Sequence, residues 1–305
     1  MALSERLKTW RNSGDYIKAG CFEHSVFVKE LGSKEAWADK TLLLLHGFPE
    51  SSFSYHKIVE GMLKVFDRII LFDMIGYGFS DKPEKDYAYS LIEQADLALL
   101  VWKHFGVKGG HLLAHDMGDS VATELASRQV NGLLPAWFDQ GFKSYTFTNG
   151  SMLLAFAKLR ITQKLLLSKY GHLMKKLVSY TLFSKQVKSA QGNGTLSEED
   201  INDLWEANRL KDGHLKTYLT IKYLNDRKQF EKTRWIPALK RGIVPIHLCW
   251  GDADAVARVE MAHQLKAEVC KDATLTIMKD VGHFSQLGSP DVWIKSVCAF
   301  YNSLG

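Results

Sequence analysis

The chain has 305 residues, of which 46% are hydrophobic and 24% are charged, and its formal net charge is +5. This length and composition are typical of a soluble globular protein with one large domain and an insertion, and they argue against disorder. Because the positive charge is modest and scattered, it does not indicate binding to nucleic acid.

Cysteine usage and hydropathy define the expected compartment. The four cysteines form no C-x-x-C pair, so a reducing compartment and no structural zinc are expected. Residues 1–18 are polar and charged, and no apolar run approaches the roughly 18 residues that span a membrane. We therefore expect a cytoplasmic protein that needs neither a metal nor a cofactor.

Predicted strands and helices alternate along the first 150 residues. Weak alternation of apolar residues predicts an edge strand at residues 21–29. Continuous apolar runs predict buried parallel strands at residues 41–45, 68–72, 111–115 and 145–148. Helical spacing predicts helices at residues 55–65, 90–105 and 116–129. This alternation indicates a mostly parallel sheet with helices on both faces.

The pattern changes after residue 150. From there to residue 235, apolar residues recur at helical spacing, and no strand signal interrupts them. A break at residues 191–194 is followed by a helix start at Thr195 or Ser197. This stretch therefore predicts a block of helices.

The predicted organisation is a core in two parts. Residues 151–235 form a helical cap, inserted between a first core part at residues 1–150 and a second core part at residues 236–305. The second core part is predicted to contain strands at residues 245–250 and 273–278 and a closing helix at residues 292–301.

One turn in this pattern places a reactive side chain. The sequence His115-Asp116-Met117-Gly118 leads from a predicted strand into a predicted helix, and it matches the x-x-nucleophile-x-G frame of a strained strand-to-helix elbow. A carboxylate at that position attacks carbon directly and forms an ester, unlike the serine of lipases and peptidases. The alternative interpretation is that Asp116 only caps the following helix.

Two more polar side chains follow late strands. Asp254, in the sequence GDAD, follows one of them, and His283 follows the next. Because the carboxyl ends of parallel strands meet at one crevice, Asp254 and His283 are expected to approach Asp116. Asp252 is an alternative acid, although the G-x-x-D spacing favours Asp254.

Five motifs together resemble the epoxide hydrolase branch of the α/β hydrolases. They are HGFPES from His46, DMIGYGFSDKP from Asp73, HDMGDSVA from His115, WGDAD from Trp250 and GHF from Gly282. The segments HDMGDSVATEL from His115 and YLNDRKQFEKTRW from Tyr223 are also similar to the mesoderm-specific transcript proteins of that branch. The resemblance extends from about residue 40 to the end of the chain. It implies an α/β-hydrolase fold, with a mostly parallel central sheet flanked by helices and an inserted helical cap.

The resemblance also implies a two-step hydrolysis. Asp116 opens an electrophilic carbon and becomes an alkyl ester, and His283, oriented by Asp254, activates the water that hydrolyses this ester. The chain order of nucleophile, acid and histidine is the one expected for α/β hydrolases. The implied reaction converts a small apolar epoxide to a diol.

The same resemblance assigns residues around the substrate. The backbone N–H groups of Phe48 and Met117 occupy the family's positions for binding the oxyanion. Pro49 stiffens the first of these loops, and His46 and Pro49 are both expected beside the substrate. An apolar Met117 suits a hydrophobic substrate.

Epoxide opening also needs an acid, because an alkoxide is a poor leaving group, and the family uses two cap tyrosines for it. Tyr223, followed by Leu224 and Asn225, matches the family's Y-x-N surroundings. The family's first tyrosine lies in an aromatic-glutamine context that this chain lacks. Tyr170 and Tyr180 are therefore candidates by location alone.

A dehalogenase is the alternative enzyme, since it shares the Asp-His-Asp mechanism. Haloalkane dehalogenases commonly place Asn after the His-Gly pair and Trp after the nucleophile. This chain has Phe48 and Met117 there, whose side chains carry no N–H. Fluoroacetate dehalogenases place Arg at the position of Met117. Both kinds of dehalogenase are therefore disfavoured.

A non-enzymatic or membrane-associated member of the fold is a further alternative. Residues 143–188 contain nine Lys and Arg and no Asp or Glu, interleaved with leucines. Such a segment favours peripheral contact with an anionic membrane or with an acidic partner. A solvated outer face of the cap is the simpler interpretation. Nothing in the sequence indicates the oligomeric state.

Overall fold

In the computed structural model, which describes residues 3–150, 152–157 and 161–305, an eight-stranded sheet forms the centre of the fold. Its strands are β1 (Asp15–Ala19), β2 (His24–Gly32), β3 (Thr41–Leu45), β4 (Arg68–Phe72), β5 (Gly109–His115), β6 (Gly141–Thr148), β7 (Ile246–Gly251) and β8 (Thr274–Met278). Across the sheet they follow the order β1-β2-β4-β3-β5-β6-β7-β8. The pairs β1–β2 and β2–β4 are antiparallel and the other pairs are parallel, so the mostly parallel sheet is confirmed.

Helices connect the strands and cover the sheet. In chain order they are α1 (Glu5–Asn12), α2 (Val59–Met62), α3 (Leu91–His104), α4 (Met117–Val130), α5 (Ile161–Leu167), α6 (Tyr180–Gln191), α7 (Glu198–Arg209), α8 (Thr217–Thr220), α9 (Tyr223–Phe230), α10 (Ile236–Arg241), α11 (Val259–Gln264), α12 (Ser285–Gly288) and α13 (Pro290–Asn302). Short 3₁₀ or π segments lie at Ala38–Lys40, Ser52–Tyr55, Gly171–Leu177, Leu210–Lys216, Glu231–Trp235 and Leu265–Val269. The helix predicted at residues 55–65 is reduced to a 3₁₀ turn and α2.

The central strands are apolar at every position because both faces of the sheet are covered. Every residue of β3 is buried, and successive side chains of a strand point to opposite faces. Leu43 and Leu45 pack in the cluster that contains residues of α3 and α4. Leu42 and Leu44 pack in the cluster that contains residues of α1 and α13. A helical layer therefore lies on each face, as the unbroken apolar runs predict.

The register of the parallel strands brings their carboxyl ends to one edge of the sheet. Leu45 of β3 lies opposite Ala114 of β5, which in turn lies opposite Phe147 of β6. Thr148 of β6 lies opposite Cys249 of β7. The loops that follow β3, β5, β6, β7 and β8 therefore leave from the same edge, where side chains from distant parts of the sequence can meet.

The amino-terminal part differs from the prediction. The sequence predicts an edge strand at residues 21–29, but β1 pairs with this strand, with Tyr16 opposite Phe27, and occupies the edge itself. β1 has five residues and an irregular burial pattern, so it shows no alternation in the sequence. α1 precedes it and buries Leu7 and Trp10.

The segment between β6 and β7 is helical. Its described residues up to 241 contain α5 to α10 and no strand, and this segment is termed the helical insertion. α6 ends at Gln191, and α7 begins after Ser197, whose Oγ accepts a hydrogen bond from the Asp200 N–H at 3.0 Å. The helix start therefore lies at Ser197 and not at Thr195. The cap boundaries at residues 151 and 235 stay a prediction.

Buried polar contacts hold the second half of the helical insertion on α4. Glu124 of α4 is fully buried, and its carboxylate accepts hydrogen bonds from Arg234 at 2.6 Å and from the Trp235 indole N–H at 2.9 Å. Arg227 of α9 donates from Nε to the Ser120 Oγ of α4 at 2.8 Å. α9 and the π segment after it are therefore fixed against α4.

The cysteines form no disulfide within the described residues. All four cysteines are free thiols, of which Cys249 and Cys270 are buried. Within residues 3–150, 152–157 and 161–305, no helix is long and apolar enough to cross a membrane. In the same ranges, no group of three or more His, Cys, Asp or Glu side chains is arranged to hold a metal ion.

Candidate active site

Asp116 lies at the sharp turn between β5 and α4. Its backbone has φ 50° and ψ −111°, and a positive φ is strained for a residue other than glycine. The Asp116 N–H donates to the Thr148 carbonyl oxygen at 3.1 Å, which joins the turn to the end of β6. The carboxylate makes no capping hydrogen bond to α4, so the interpretation of Asp116 as a helix cap is wrong.

Two glycines allow the elbow to lie against the loop that follows β3. A Cβ on Gly118 would lie 2.5 Å from the Leu45 carbonyl oxygen, and a Cβ on Gly47 would lie 2.8 Å from the Asp116 Cβ. Both distances are far below van der Waals contact, so a side chain at either position would push the loop away from the elbow. The glycines therefore determine how close this loop comes to Asp116.

The loop after β3 supplies the predicted hydrogen-bond donor. The Phe48 N–H donates to Asp116 Oδ2 at 3.0 Å, and Pro49 lines the cavity beside it. The Met117 side chain differs from its prediction, because its Sδ accepts a hydrogen bond from the Tyr77 hydroxyl at 3.2 Å and it does not line the cavity. Met117 therefore does not make the substrate site apolar, and only its backbone N–H remains a predicted oxyanion donor.

Asp254 is the acid that contacts His283. Its Oδ2 lies 2.8 Å from His283 Nδ1 and accepts a second hydrogen bond from Asn149 Nδ2 at 2.8 Å. Its Oδ1 accepts two backbone N–H hydrogen bonds, at 2.6 and 2.9 Å. These four contacts orient the carboxylate toward the imidazole. The alternative acid, Asp252, is exposed and accepts a hydrogen bond from a backbone N–H at 2.7 Å.

His283 lies between two carboxylates. Its Nδ1 contacts Asp254, and its Nε2 lies 3.8 Å from Asp116 Oδ1. Burial lowers the pKa of His283, but the charge and hydrogen bond of Asp254 and the charge of Asp116 outweigh burial and raise the pKa to about 9. The imidazole is therefore protonated at neutral pH for as long as Asp116 carries its charge.

Glu50 is a buried member of the site that the sequence analysis missed. It belongs to the HGFPES motif, but a glutamate in a loop carries no signal that it will be buried. Burial raises the pKa of Glu50 to about 8, so the carboxyl group is protonated at neutral pH. One carboxyl oxygen accepts a hydrogen bond from Gln286 Nε2 at 2.9 Å, and the other lies 3.3 Å from His115 Nε2.

Neighbouring hydrogen bonds determine the tautomer of His115. The Thr148 hydroxyl donates to the Ala114 carbonyl oxygen at 2.8 Å, so it accepts from His115 Nδ1 at 3.1 Å. His115 Nε2 is then unprotonated. Burial, followed by the charge of His283, holds the pKa of His115 well below its usual value. Glu50 Oε2 and His115 Nε2 therefore lie 3.3 Å apart as two uncharged groups, and neither atom has a hydrogen-bond partner among the described residues.

A cavity of about 190 Å³ lies over Asp116 and His283. Most of its wall comes from the helical insertion and is apolar, with contributions from Leu166, Met174, Leu182, Phe183, Trp205 and Leu224. Among the described lining residues, the ionisable acidic and basic side chains are Asp116, His283 and Arg227. A largely apolar cavity with a few polar groups is typical of a small-molecule site.

Tyr223 of α9 is the predicted cap tyrosine that lines the cavity. Burial, followed by the charge of Asp116, raises the pKa of its phenol, so the hydroxyl stays protonated. Tyr170 is exposed, and Tyr180 packs edge-on against Trp205 with 6.1 Å between ring centroids. Neither of these lines the cavity, so the prediction of a second tyrosine at 170 or 180 is wrong. Tyr223 is the only tyrosine among the described lining residues.

His46 joins two loops and does not line the cavity. Its Nε2 accepts a hydrogen bond from the Met74 N–H at 3.0 Å, and its Nδ1 lies 2.9 Å from the Gly47 carbonyl oxygen. Burial lowers the pKa of His46, so the ring is neutral and Nδ1 carries the proton. Because both ring nitrogens are used within the protein, the prediction that His46 binds substrate is wrong.

Comparisons with known proteins agree with this fold. The sequence model of the family described as alpha/beta hydrolase fold matches residues 40–290. The chain is 32% identical over 312 residues to the mesoderm-specific transcript homolog protein of Homo sapiens, which covers 99% of this chain and 89% of that protein.

Two solved structures share the fold. Haloalkane dehalogenase DbeA from Bradyrhizobium elkani USDA94 has a TM-score of 0.73 and 22% identity, with 96% of this chain and 98% of that chain covered. Epoxide hydrolase CorEH has a TM-score of 0.68 and 18% identity, with 96% of this chain and 99% of that chain covered. These identities support the fold and not the substrate, and the predicted α/β-hydrolase fold class is confirmed. The chain is a hydrolase that belongs to the alpha/beta hydrolase fold family.

Proposed function

We propose that this protein hydrolyses epoxides to diols through an ester on Asp116. The observation that carries the proposal is the position of Asp116 at the cavity, between the Phe48 N–H and the His283–Asp254 pair. A carboxylate nucleophile, an oxyanion donor and a water-activating base under an apolar cavity fit attack on carbon followed by ester hydrolysis.

In the first step, Asp116 Oδ1 attacks an epoxide carbon, and the bond from that carbon to the ring oxygen breaks. Oδ1 is the attacking atom because the Phe48 N–H holds Oδ2. The ring oxygen leaves as an alkoxide and takes the proton of the Tyr223 phenol. This transfer is favourable even though the pKa of Tyr223 is raised, because an alkoxide is far more basic than a phenolate.

In the second step, water attacks the ester carbonyl carbon of Asp116, and His283 Nε2 takes its proton. Ester formation has removed the negative charge of Asp116, which is one of the charges that raise the pKa of His283. The imidazole therefore loses its proton to solvent more easily at this stage, the Tyr223 phenolate regains a proton from solvent, and His283 can act as a base. Oδ2 carries the oxyanion at the Phe48 N–H. The bond from the carbonyl carbon to Oδ1 then breaks, and Oδ1 takes the proton that His283 Nε2 received from water, which releases the diol and restores the Asp116 carboxylate.

A haloalkane dehalogenase remains the alternative reaction for the same nucleophile. It needs N–H donors that hold a departing halide, but the Phe48 side chain has none and Met117 turns toward Tyr77. Alkyl halides are therefore the comparison substrates in a test of the proposal. Release of halide without epoxide turnover would favour the dehalogenase.

Replacement of Tyr223 tests the proposed acid. We expect Tyr223→Phe to slow formation of the Asp116 ester by roughly 10²-fold to 10⁴-fold, because the departing alkoxide loses its proton donor. Ester hydrolysis should keep its rate, since Tyr223 acts only in the first step. Rapid-quench measurement of both steps separates them.

Tyr218→Phe is the matched control, because Tyr218 lies nearby in α8 but does not line the cavity. It should leave both rates unchanged. An unchanged rate of ester formation in Tyr223→Phe would show that another group supplies the proton.

We also propose that the first part of the helical insertion contacts an anionic membrane surface. Large apolar side chains are exposed on α5, on the 3₁₀ segment that packs against it and on the residue directly before that segment, namely Ile161, Leu165, Leu173 and Tyr170. Exposed lysines lie among them, at Lys164, Lys169 and Lys175. Apolar side chains beside lysines are typical of surfaces that bind anionic bilayers.

Sedimentation with phosphatidylserine vesicles at low and high salt tests this contact. We expect binding at low salt that weakens at high salt, and a loss of roughly tenfold or more in Ile161→Ser/Leu173→Ser, because two apolar side chains no longer enter the bilayer. Leu133→Ser, at another exposed leucine, is the control. Absence of wild-type binding at low salt would reject the proposal.

A further inference from the structure

A buried arginine lines the cavity. Arg227 of α9 is 3% exposed and contributes to the same wall as Tyr223 and Leu224. Apart from His283, it is the only basic side chain among the described lining residues. A guanidinium group stays charged at every physiological pH, so its burial needs a compensating partner.

The protein supplies only part of that compensation. Arg227 Nε donates to Ser120 Oγ at 2.8 Å, and the guanidinium carbon lies 5.0 Å from the ring centroid of Tyr223. Nη2 is buried and has no hydrogen-bond partner among the described residues. Two arginines that are less buried than Arg227 have a carboxylate partner, since Arg128 and Arg234 both pair with Glu124.

The buried carboxyl group of Asp119 makes no hydrogen bond to Arg227. Asp119 of α4 is fully buried, burial raises its pKa well above the usual value, and its Oδ1 accepts a hydrogen bond from the Thr148 N–H at 3.3 Å. Its Oδ2 also lacks a hydrogen-bond partner among the described residues. The cavity wall therefore presents a fixed cation and an empty donor position to whatever occupies the cavity.

On the basis of the proposed epoxide hydrolysis, we propose that Arg227 binds a carboxylate of the substrate, and that the protein acts on epoxides of apolar carboxylic acids. The planar guanidinium matches a carboxylate in shape as well as in charge. Its ring contact with Tyr223 and its bond to Ser120 hold it in one orientation before the substrate binds.

The position of Arg227 limits where the carboxylate lies in the substrate. Ser120 is four residues after Asp116, which corresponds to a rise of about 6 Å along α4. Asp116 and Arg227 line the same cavity, and Tyr223 links them, because Arg227 contacts its ring and the charge of Asp116 raises its pKa. The anionic group is therefore close to the reacting carbon, as in a 2,3-epoxy acid. The apolar remainder of the molecule packs against Leu182, Phe183 and Trp205.

The kinetic test compares 3-phenyloxirane-2-carboxylate with its methyl ester, which has the same epoxide and no charge. We expect the wild type to prefer the acid in kcat/KM by roughly 10-fold to 100-fold, the magnitude of a charge-assisted hydrogen bond. Arg227→Met should abolish this preference, and Arg227→Lys should retain part of it. Lys228→Met removes a charge from an exposed position of the same helix and should leave the preference unchanged.

A binding test separates this proposal from the reaction itself. 3-Phenylpropanoate and 3-phenylpropanamide contain no epoxide, so their affinities, measured by titration calorimetry, do not depend on turnover. We expect the carboxylate to bind roughly tenfold or more tightly than the amide in the wild type, and equally weakly in Arg227→Met.

The outcomes are distinct for the two proposals. Carboxylate binding that depends on Arg227, without turnover of any epoxide, would support the anion site and contradict epoxide hydrolysis. Equal affinities of the acid and the amide in the wild type, or an acid preference that persists in Arg227→Met, would overturn the anion site. Arg227→Gln replaces Arg227→Met where the Met variant does not fold, because it keeps a donor for Ser120.

Discussion

Asp116→Ala is expected to lower epoxide turnover by on the order of 10⁴-fold or more, because it removes the atom that bonds to the substrate. The Phe48 N–H and the His283–Asp254 pair would still be present, but they act on an ester that no longer forms. Chromatographic measurement of the diols formed from styrene oxide and from 3-phenyloxirane-2-carboxylate gives the loss of turnover rate.

Asp139→Ala is the control for this variant, because Asp139 is exposed and lies outside the cavity lining. It should keep the wild-type rate. If Asp116→Ala retains the wild-type rate with a substrate that the protein hydrolyses, Asp116 is not the nucleophile.

His283→Gln is expected to stop the reaction after its first step. Glutamine cannot accept the proton of water, so the ester on Asp116 should accumulate and its hydrolysis should slow by on the order of 10³-fold or more. Intact-mass analysis after incubation with an epoxide should show a mass increase equal to one substrate molecule. Peptide mapping should locate the added mass at Asp116.

Two further variants make this result specific. The double variant Asp116→Ala/His283→Gln should carry no added mass, because it has no nucleophile. His104→Gln changes an exposed histidine and should turn over substrate normally. A fully active His283→Gln protein, or an adduct that persists without Asp116, would contradict the proposed steps.

The positions of the three central side chains could be predicted from sequence because they depend on topology. Asp116, Asp254 and His283 each follow a predicted parallel strand, and parallel strands end at one edge of the sheet. The structure adds two distances, 2.8 Å from Asp254 Oδ2 to His283 Nδ1 and 3.8 Å from Asp116 Oδ1 to His283 Nε2. Both distances follow from that shared edge.

Side-chain direction could not be predicted in the same way. His46 and Met117 adjoin the elbow in the expected places, but each turns away to a partner elsewhere in the protein, a backbone N–H in one case and Tyr77 in the other. Those partners lie on the loop after β4, far away in sequence. The position of a residue in a motif therefore predicts where its backbone lies, but it does not predict which partner its side chain contacts.

Arg227 reaches the cavity through the packing of helices and not through a sequence motif. In the sequence, the position compared with a family arginine is that of Met117, directly after Asp116. The structure brings an arginine to the same cavity from α9, more than one hundred residues later. No periodicity or spacing connects residues 116 and 227, because their proximity arises from the packing of the insertion on α4.

The attachment of the insertion to α4 also constrains how a substrate reaches the proposed nucleophile. Glu124 holds Arg234 and Trp235, and Ser120 holds Arg227, on the helix whose first turn adjoins Asp116. The proposed proton donor and the proposed nucleophile therefore belong to a single rigid unit whose geometry is preorganised before a substrate binds. A hinge motion of the whole insertion would break these bonds, so we expect a substrate to enter while α9 stays attached to α4.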